Sequence, residues 1–155
     1  MDTKTQIVSF QVDHDIITPG VYVSRIDGDI LTLDLRTRTP NGGEYMDHST
    51  MHSVEHMFAT YIRNSALQDK VIYFGPMGCQ TGFYLCLRGS TPQEAYPVII
   101  QTLENIVNHE GGMYGATRKE CGNYLNLSLE AAKKECAAYL ALLQQKNQTK
   151  FEYGE

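Results

Sequence analysis

The stretch VYVSRIDGDILTLDLR, residues 21–36, decides the fold. Two strand-like arms flank Asp27-Gly28, a strong signal for a hairpin turn. In the second arm Leu31, Leu33 and Leu35 point one way while Thr32, Asp34 and Arg36 point the other. That is the period-two alternation of a half-buried strand. Upstream, TQIVSFQV (5–12) places Val8, Phe10 and Val12 at the same period and predicts a further strand, and Pro19-Gly20 marks a turn between the two.

Downstream, PNGG (40–43) is a loop, and from about Ser49 to Ser65 the period changes. Met51, Val54, Phe58, Tyr61 and Ile62 form an apolar stripe at helical spacing. VIYF (71–74) predicts a short buried strand, GPMGCQTG (75–82) a glycine-rich turn, and FYLCLR (83–88) another strand. Thr91-Pro92-Gln93-Glu94 opens a helix with a capping box and proline at its first position. Its core side is Ala95, Val98, Ile99, Leu103 and Ile106, with Gly111-Gly112 ending it, and a last helix runs from about Ser128 to Lys146. Hairpin-like strands with helices between and after them predict an α+β fold: an antiparallel sheet covered by helices on one face, a single domain over residues 1–155.

The chain of 155 residues is 42% hydrophobic and 20% charged, ordinary for a globular protein, with a formal charge of -5. An acidic total without a basic cluster argues against a nucleic-acid partner. MDTKTQIVSF at the N-terminus has no apolar core and no apolar run approaches the ~18 residues of a membrane span, so the expected location is cytoplasmic, away from membranes. There Cys79, Cys86, Cys121 and Cys136 are expected as thiols. Cys86 and Cys136 lie among apolar residues and are expected in the core.

Within the helical stretch stands HSVEH (52–56). His52 and His56 lie about 40° apart around a helix axis, one turn separated, so their imidazoles can converge on one ion. Glu55 is beside that pair without having to be a ligand. The apolar stripe keeps the opposite side for the core. Two histidines make an incomplete site, and two cysteines stand in loops that could complete it. GPMGCQTG presents Cys79 in a turn whose backbone can approach a ligand closely, and Cys121 stands before Gly122 ahead of the last helix. Arg36 taken alone is a strand residue facing solvent.

Together these pieces resemble the S-ribosylhomocysteine lyase (LuxS) family. The matching segments are SFQVDH (9–14), LDLR (33–36), PN (40–41), HSVEH (52–56), GPMGCQTGFYL (75–85) and ECGNY (120–124). The resemblance implies a divalent metal held by His52, His56 and Cys121, ferrous iron first and zinc or cobalt as substitutes, with no organic cofactor. It implies Cys79 and Glu55 as the catalytic acid/base pair. Ser9, His14 and Arg36 would hold the substrate, in active sites at a homodimer interface. The reaction implied is cleavage of S-ribosylhomocysteine to homocysteine and 4,5-dihydroxy-2,3-pentanedione, precursor of the autoinducer-2 signal of quorum sensing, by carbonyl migration and β-elimination. The chain departs from the family pattern at Thr37, Arg38, Gly75 and Leu127.

Two other readings stay open on sequence. H-x-x-E-H on a helix is also a metallopeptidase signature, in which Glu55 would activate a metal-bound water and a downstream carboxylate or histidine would complete the site. Alternatively the ion is structural, closed by Cys79 as fourth ligand.

Overall fold

The computed structural model describes residues 7–154. Strand β1 (Gly20–Asp27) and strand β2 (Ile30–Arg36) pair antiparallel around Gly28-Asp29. Gly28 has φ 62°, a backbone that favours glycine at the first position of a two-residue turn. β2 then pairs with β4 (Gly82–Arg88), and β4 with β3 (Val71–Pro76), giving the order β1-β2-β4-β3 with every pair antiparallel.

The register sets Leu33 beside Val23 on one side and Leu85 on the other. Leu31, Leu33, Leu35, Phe83, Leu85 and Leu87 therefore share one face and are buried. Helices α2 (His48–Ile62), α3 (Pro92–Val107) and α4 (Leu129–Lys146) pack on that face, and Val21, Met46, Leu67, Phe74 and Phe151 join the same core. Burying side chains of this size contributes roughly 1.5–3 kcal/mol each. The expected α+β arrangement, an antiparallel sheet with helices on one face, is what forms.

Helices α2, α3 and α4 each start behind a capping side chain. Asp47 accepts the Thr50 N–H at 2.7 Å, Thr91 Oγ1 accepts that of Glu94 at 3.1 Å, and Ser128 Oγ that of Ala131 at 3.2 Å. On α2, Met51, Val54, Phe58 and Ile62 are buried, joined by Met57 and the hydroxyl of Ser53. α3 stops at Val107, short of Gly111-Gly112, with Asn108 as its cap.

Two expectations are corrected. Residues 8–11 form a short helix, α1 (Val8–Gln11), in place of a strand; residues 5 and 6 of that expected strand lie outside the described residues. A period-two pattern becomes a strand only when another strand accepts its backbone, and no described strand pairs with this segment; a single turn uses local bonds instead, Phe10 N–H to Ile7 C=O at 3.0 Å. Cys86 is not in the core. It pairs with Thr32 on the face away from the leucines, half-buried, while Cys136 is 1% exposed within the core.

Candidate metal centre and its surroundings

Helix α2 holds His52 and His56 half-buried, their ring centroids 4.7 Å apart and their planes nearly perpendicular at 89°. The segment between α3 and α4 returns to this face and brings Cys121, whose Sγ lies 3.3 Å from His52 Nε2. One donor atom from each of His52, His56 and Cys121 lies within 4.8 Å of the others. His52 Nδ1 is 2.9 Å from Asn126 Oδ1, and His56 Nδ1 is 3.0 Å from the carbonyl of Tyr114. An acceptor at Nδ1 keeps the proton there and leaves the Nε2 lone pair free. The Asn123 N–H donates to Cys121 Sγ at 3.4 Å. Two imidazole nitrogens and a sulfur, each oriented from behind, fit a divalent ion with three protein ligands, the number that leaves a position open for substrate.

The support behind His56 is close-fitting. Gly115 has φ 65°, and a Cβ there would meet His56 Nδ1 at 2.8 Å. The Tyr114 ring packs edge-on against Tyr61 and His109 at 5.6 and 4.9 Å between centroids. His109 is itself tied at both nitrogens, to the Tyr61 hydroxyl at 2.7 Å and to the Gly112 carbonyl at 2.8 Å.

Glu55 is half-buried, one residue before His56 on the same helix. Cys79 is exposed in the turn between β3 and β4, its Sγ 3.0 Å from Thr81 Oγ1 and 3.8 Å from Arg36 Nη1. It is not a member of the three-residue donor group.

Arg36 is 2% exposed, so the solvent-facing reading of this residue is corrected. Its guanidinium bonds Asp34 at 2.6 and 3.1 Å and Thr81 Oγ1 at 2.8 Å, and Tyr153 O–H donates to the same Asp34 at 2.7 Å. Burial works against the charge on Arg36, but Asp34 outweighs it and holds the guanidinium above its ordinary value. Tyr153, through Asp34, and Thr81 and Cys79 of the turn stand against this end of the sheet's second face.

Ser9 and His14 fall elsewhere. Ser9 lines a groove of about 300 Å³ with Ile7, Ser24, Thr32, Tyr73 and Tyr84, on the sheet face opposite α2. His14 Nδ1 bonds the Val12 carbonyl at 2.9 Å. Among the described residues, no hydrogen bond joins either to the histidine–cysteine group or to Arg36. Sequence reasoning missed Asn126, Tyr114, Asp34 and Thr81. Asp34 alone carried a signal, standing two residues before Arg36 and so on the same strand face.

Comparison with known proteins gives a consistent result. The S-ribosylhomocysteinase (LuxS) family model matches residues 7–150. A Clostridium acetobutylicum protein named S-ribosylhomocysteine lyase is 39% identical, over 97% of this chain and 99% of its own. Proteins of the same name from Finegoldia magna and Phocaeicola vulgatus are 43% and 41% identical, over 89% and 86% of this chain and 91% and 87% of theirs.

Proposed function

The chain belongs to the S-ribosylhomocysteinase (LuxS) family and is a carbon–sulfur lyase; from that premise we propose how its residues divide the work. The substrate is S-ribosylhomocysteine, whose aldehyde is not next to the bond to be cut. Proton transfers move the carbonyl from C1 to C2 and then to C3. The C4 proton is then acidic; its removal expels the sulfur from C5, and the thiolate takes up a proton to leave as homocysteine. The remaining carbons leave as 4,5-dihydroxy-2,3-pentanedione, the autoinducer-2 precursor.

Glu55 and Cys79 take and return those protons. Thr81 and Arg36 hold the Cys79 thiol where the turn presents it. His52, His56 and Cys121 hold a divalent ion, ferrous iron with zinc or cobalt as substitutes. When bound, that ion would supply the Lewis acidity that lets a base take the proton from a carbon next to the carbonyl at neutral pH. Ser9 and His14 hold the homocysteine end. The active sites lie at a homodimer interface, where Ser9 and His14 of one copy serve the site of the other.

The observation that carries this reading is the convergence of His52, His56 and Cys121 within 4.8 Å on the helix that also carries Glu55. A structural ion closed by Cys79 is disfavoured, because Cys79 stands with Thr81 and Arg36 instead. The test is anaerobic loading with ferrous iron, incubation with S-ribosylhomocysteine, and detection of homocysteine by a thiol reagent. Release by the wild type, lost in Cys79→Ala and Glu55→Gln at unchanged metal content, is expected. Undiminished release by either variant would remove that residue from the acid/base role.

A further inference from the structure

The sequence HSTMHSVEH, residues 48–56, repeats a His-Ser pair at a spacing of four: His48-Ser49, then His52-Ser53, with His56 continuing the histidine series. On a helix, residues four apart are neighbours on one side, so α2 carries a row of histidines and beside it a row of serines. Only His52 and His56 belong to the donor group described above. His48 and the serines are left without an assigned task.

The serine row fastens the segment that follows Cys121. Ser49 Oγ donates to the Asn126 carbonyl at 2.6 Å, and the fully buried Ser53 Oγ accepts the Ser128 N–H at 2.8 Å. A 3₁₀ turn over Tyr124–Asn126, closed by Leu127 N–H to Tyr124 C=O at 3.2 Å, sets the approach. With its main chain held there, the side chain of Asn126 reaches the histidine row. Its Oδ1 lies 2.9 Å from Nδ1 of His52 and 2.9 Å from Nδ1 of His48.

We propose that Asn126, held in place by His48 and Ser49, is the positioning residue that makes His52 a metal ligand. This rests on the metal reading above and deepens it. An amide presents either its oxygen or its NH₂ to a neighbour. With oxygen toward His52, the imidazole proton sits on Nδ1 and the Nε2 lone pair faces Cys121 Sγ. Reversed, the NH₂ donates to Nδ1, the proton moves to Nε2, and no lone pair faces the ion. The oxygen is the atom placed toward both rings, 2.9 Å from Nδ1 of His48 as well as of His52, so in this arrangement it receives an N–H from each. A carbonyl oxygen has two lone pairs and accepts both. One side chain thereby fixes the tautomer and the ring angle of His52, and it does so from the segment that also carries Cys121.

The test uses the full-length chain with Co²⁺ alone as the probe, held anaerobically, affinity being read by chelator competition and geometry by the visible absorption of the bound ion. Asn126→Leu is expected to weaken Co²⁺ binding ~10–100-fold, the usual cost of removing such a partner, and to shift the absorption bands. Asn126→Asp keeps an oxygen toward both histidines and is expected to retain affinity and bands close to wild type. His48→Phe leaves Asn126 one donor short and is expected to fall between the two. Should Asn126→Leu fail to fold by circular dichroism, Asn126→Ala takes its place. Equal affinity in wild type and the Leu or Ala variant overturns the proposal, as does an equal loss in the Asp variant, which would point to packing instead of an acceptor. Wild-type chain that binds no Co²⁺ would overturn the metal reading itself, a failure distinct from either.

Discussion

Replacing Gly115 with alanine measures how tightly the His56 ring is held. A Cβ at this position comes within 2.8 Å of Nδ1 and 3.2 Å of Cε1, where ordinary contact begins near 3.4 Å. The ring must give way by about half an ångström, since atoms this close repel steeply. It moves on the side where Nδ1 meets the Tyr114 carbonyl at 3.0 Å. Two costs follow and they separate cleanly. Left-handed backbone at an alanine costs about 1–2 kcal/mol wherever it occurs. Disturbing the His56 bond costs about 1 kcal/mol more in stability, and ~10–100-fold in metal affinity if the ring is a ligand. Gly89 supplies the control, having the same φ of 65° with nothing within 4 Å of its Cβ position. Urea unfolding and zinc competition against a chelator are run on both variants. Both are expected to lose about 1–2 kcal/mol from the backbone, and only Gly115→Ala to lose metal affinity. Wild-type affinity in Gly115→Ala would refute the close fit around His56.

Arg36→Met leaves the Asp34 carboxylate buried with only the Tyr153 hydroxyl, and is expected to cost about 3–5 kcal/mol in urea unfolding. Adding Asp34→Leu should recover most of that loss; no recovery would mean that the pair is not the source of the cost. Stability is also expected to fall in alkali, because burial holds the Cys136 thiol and the Tyr139 and Tyr153 phenols above their ordinary values. The folded chain then keeps protons that the unfolded chain gives up from about pH 8.5 for a thiol and about 10 for a phenol, so stability is full below those values and declines above them. Each group contributes a slope of about 1.4 kcal/mol per pH unit; Cys136→Ala should remove the earliest of them, seen as a flatter change of urea midpoint between about pH 9 and 10. Arg38→Met removes the cation from Glu135, whose side chain is 7% exposed, and should cost about 1–3 kcal/mol, part of it recovered by Glu135→Gln.

What the sequence disclosed follows from how local each signal is. The hairpin around Gly28 is set by a two-residue turn and by alternation within one strand, and both stand in consecutive letters. The α2 stripe and the three caps are equally local. Segment 5–12 misled because alternation describes a surface and not a partner: a strand needs another strand's backbone, and residues 8–11 have none among the described residues. Arg36 misled for the related reason that period two names a face without naming what covers it. Here Tyr153, 119 residues from its partner Asp34, stands against that face. Of the metal group, His52 and His56 are legible as one helix turn, whereas Cys121 lies 69 residues from His52; its Cys-Gly turn makes it a candidate beside Cys79, and only the family resemblance chooses it as the third ligand. Asn126 had no local signal at all, although the His-Ser repeat that receives it is plain once its partner is known.

The departures at Thr37, Arg38 and Leu127 take on a different meaning beside these contacts. Thr37 and Arg38 both donate their backbone N–H groups to the Thr81 carbonyl, at 3.0 and 2.9 Å, which ties the turn carrying Cys79 to the end of β2. Main-chain bonds of this kind are open to any residue but proline, so the turn is held whatever side chains stand there. The Arg38 side chain reaches away to Glu135 on α4, while Thr37 Oγ1 stands 3.6 Å from Met46 Sδ and 3.4 Å from the same Thr81 carbonyl that its backbone bonds. Leu127 closes the 3₁₀ turn through its backbone in the same way. These three departures from the family pattern therefore fall where backbone bonds hold the turns. The neighbour whose side chain does touch a proposed ligand is Asn126, one residue before Leu127, and the chain's identity at that position is the one on which metal binding should depend.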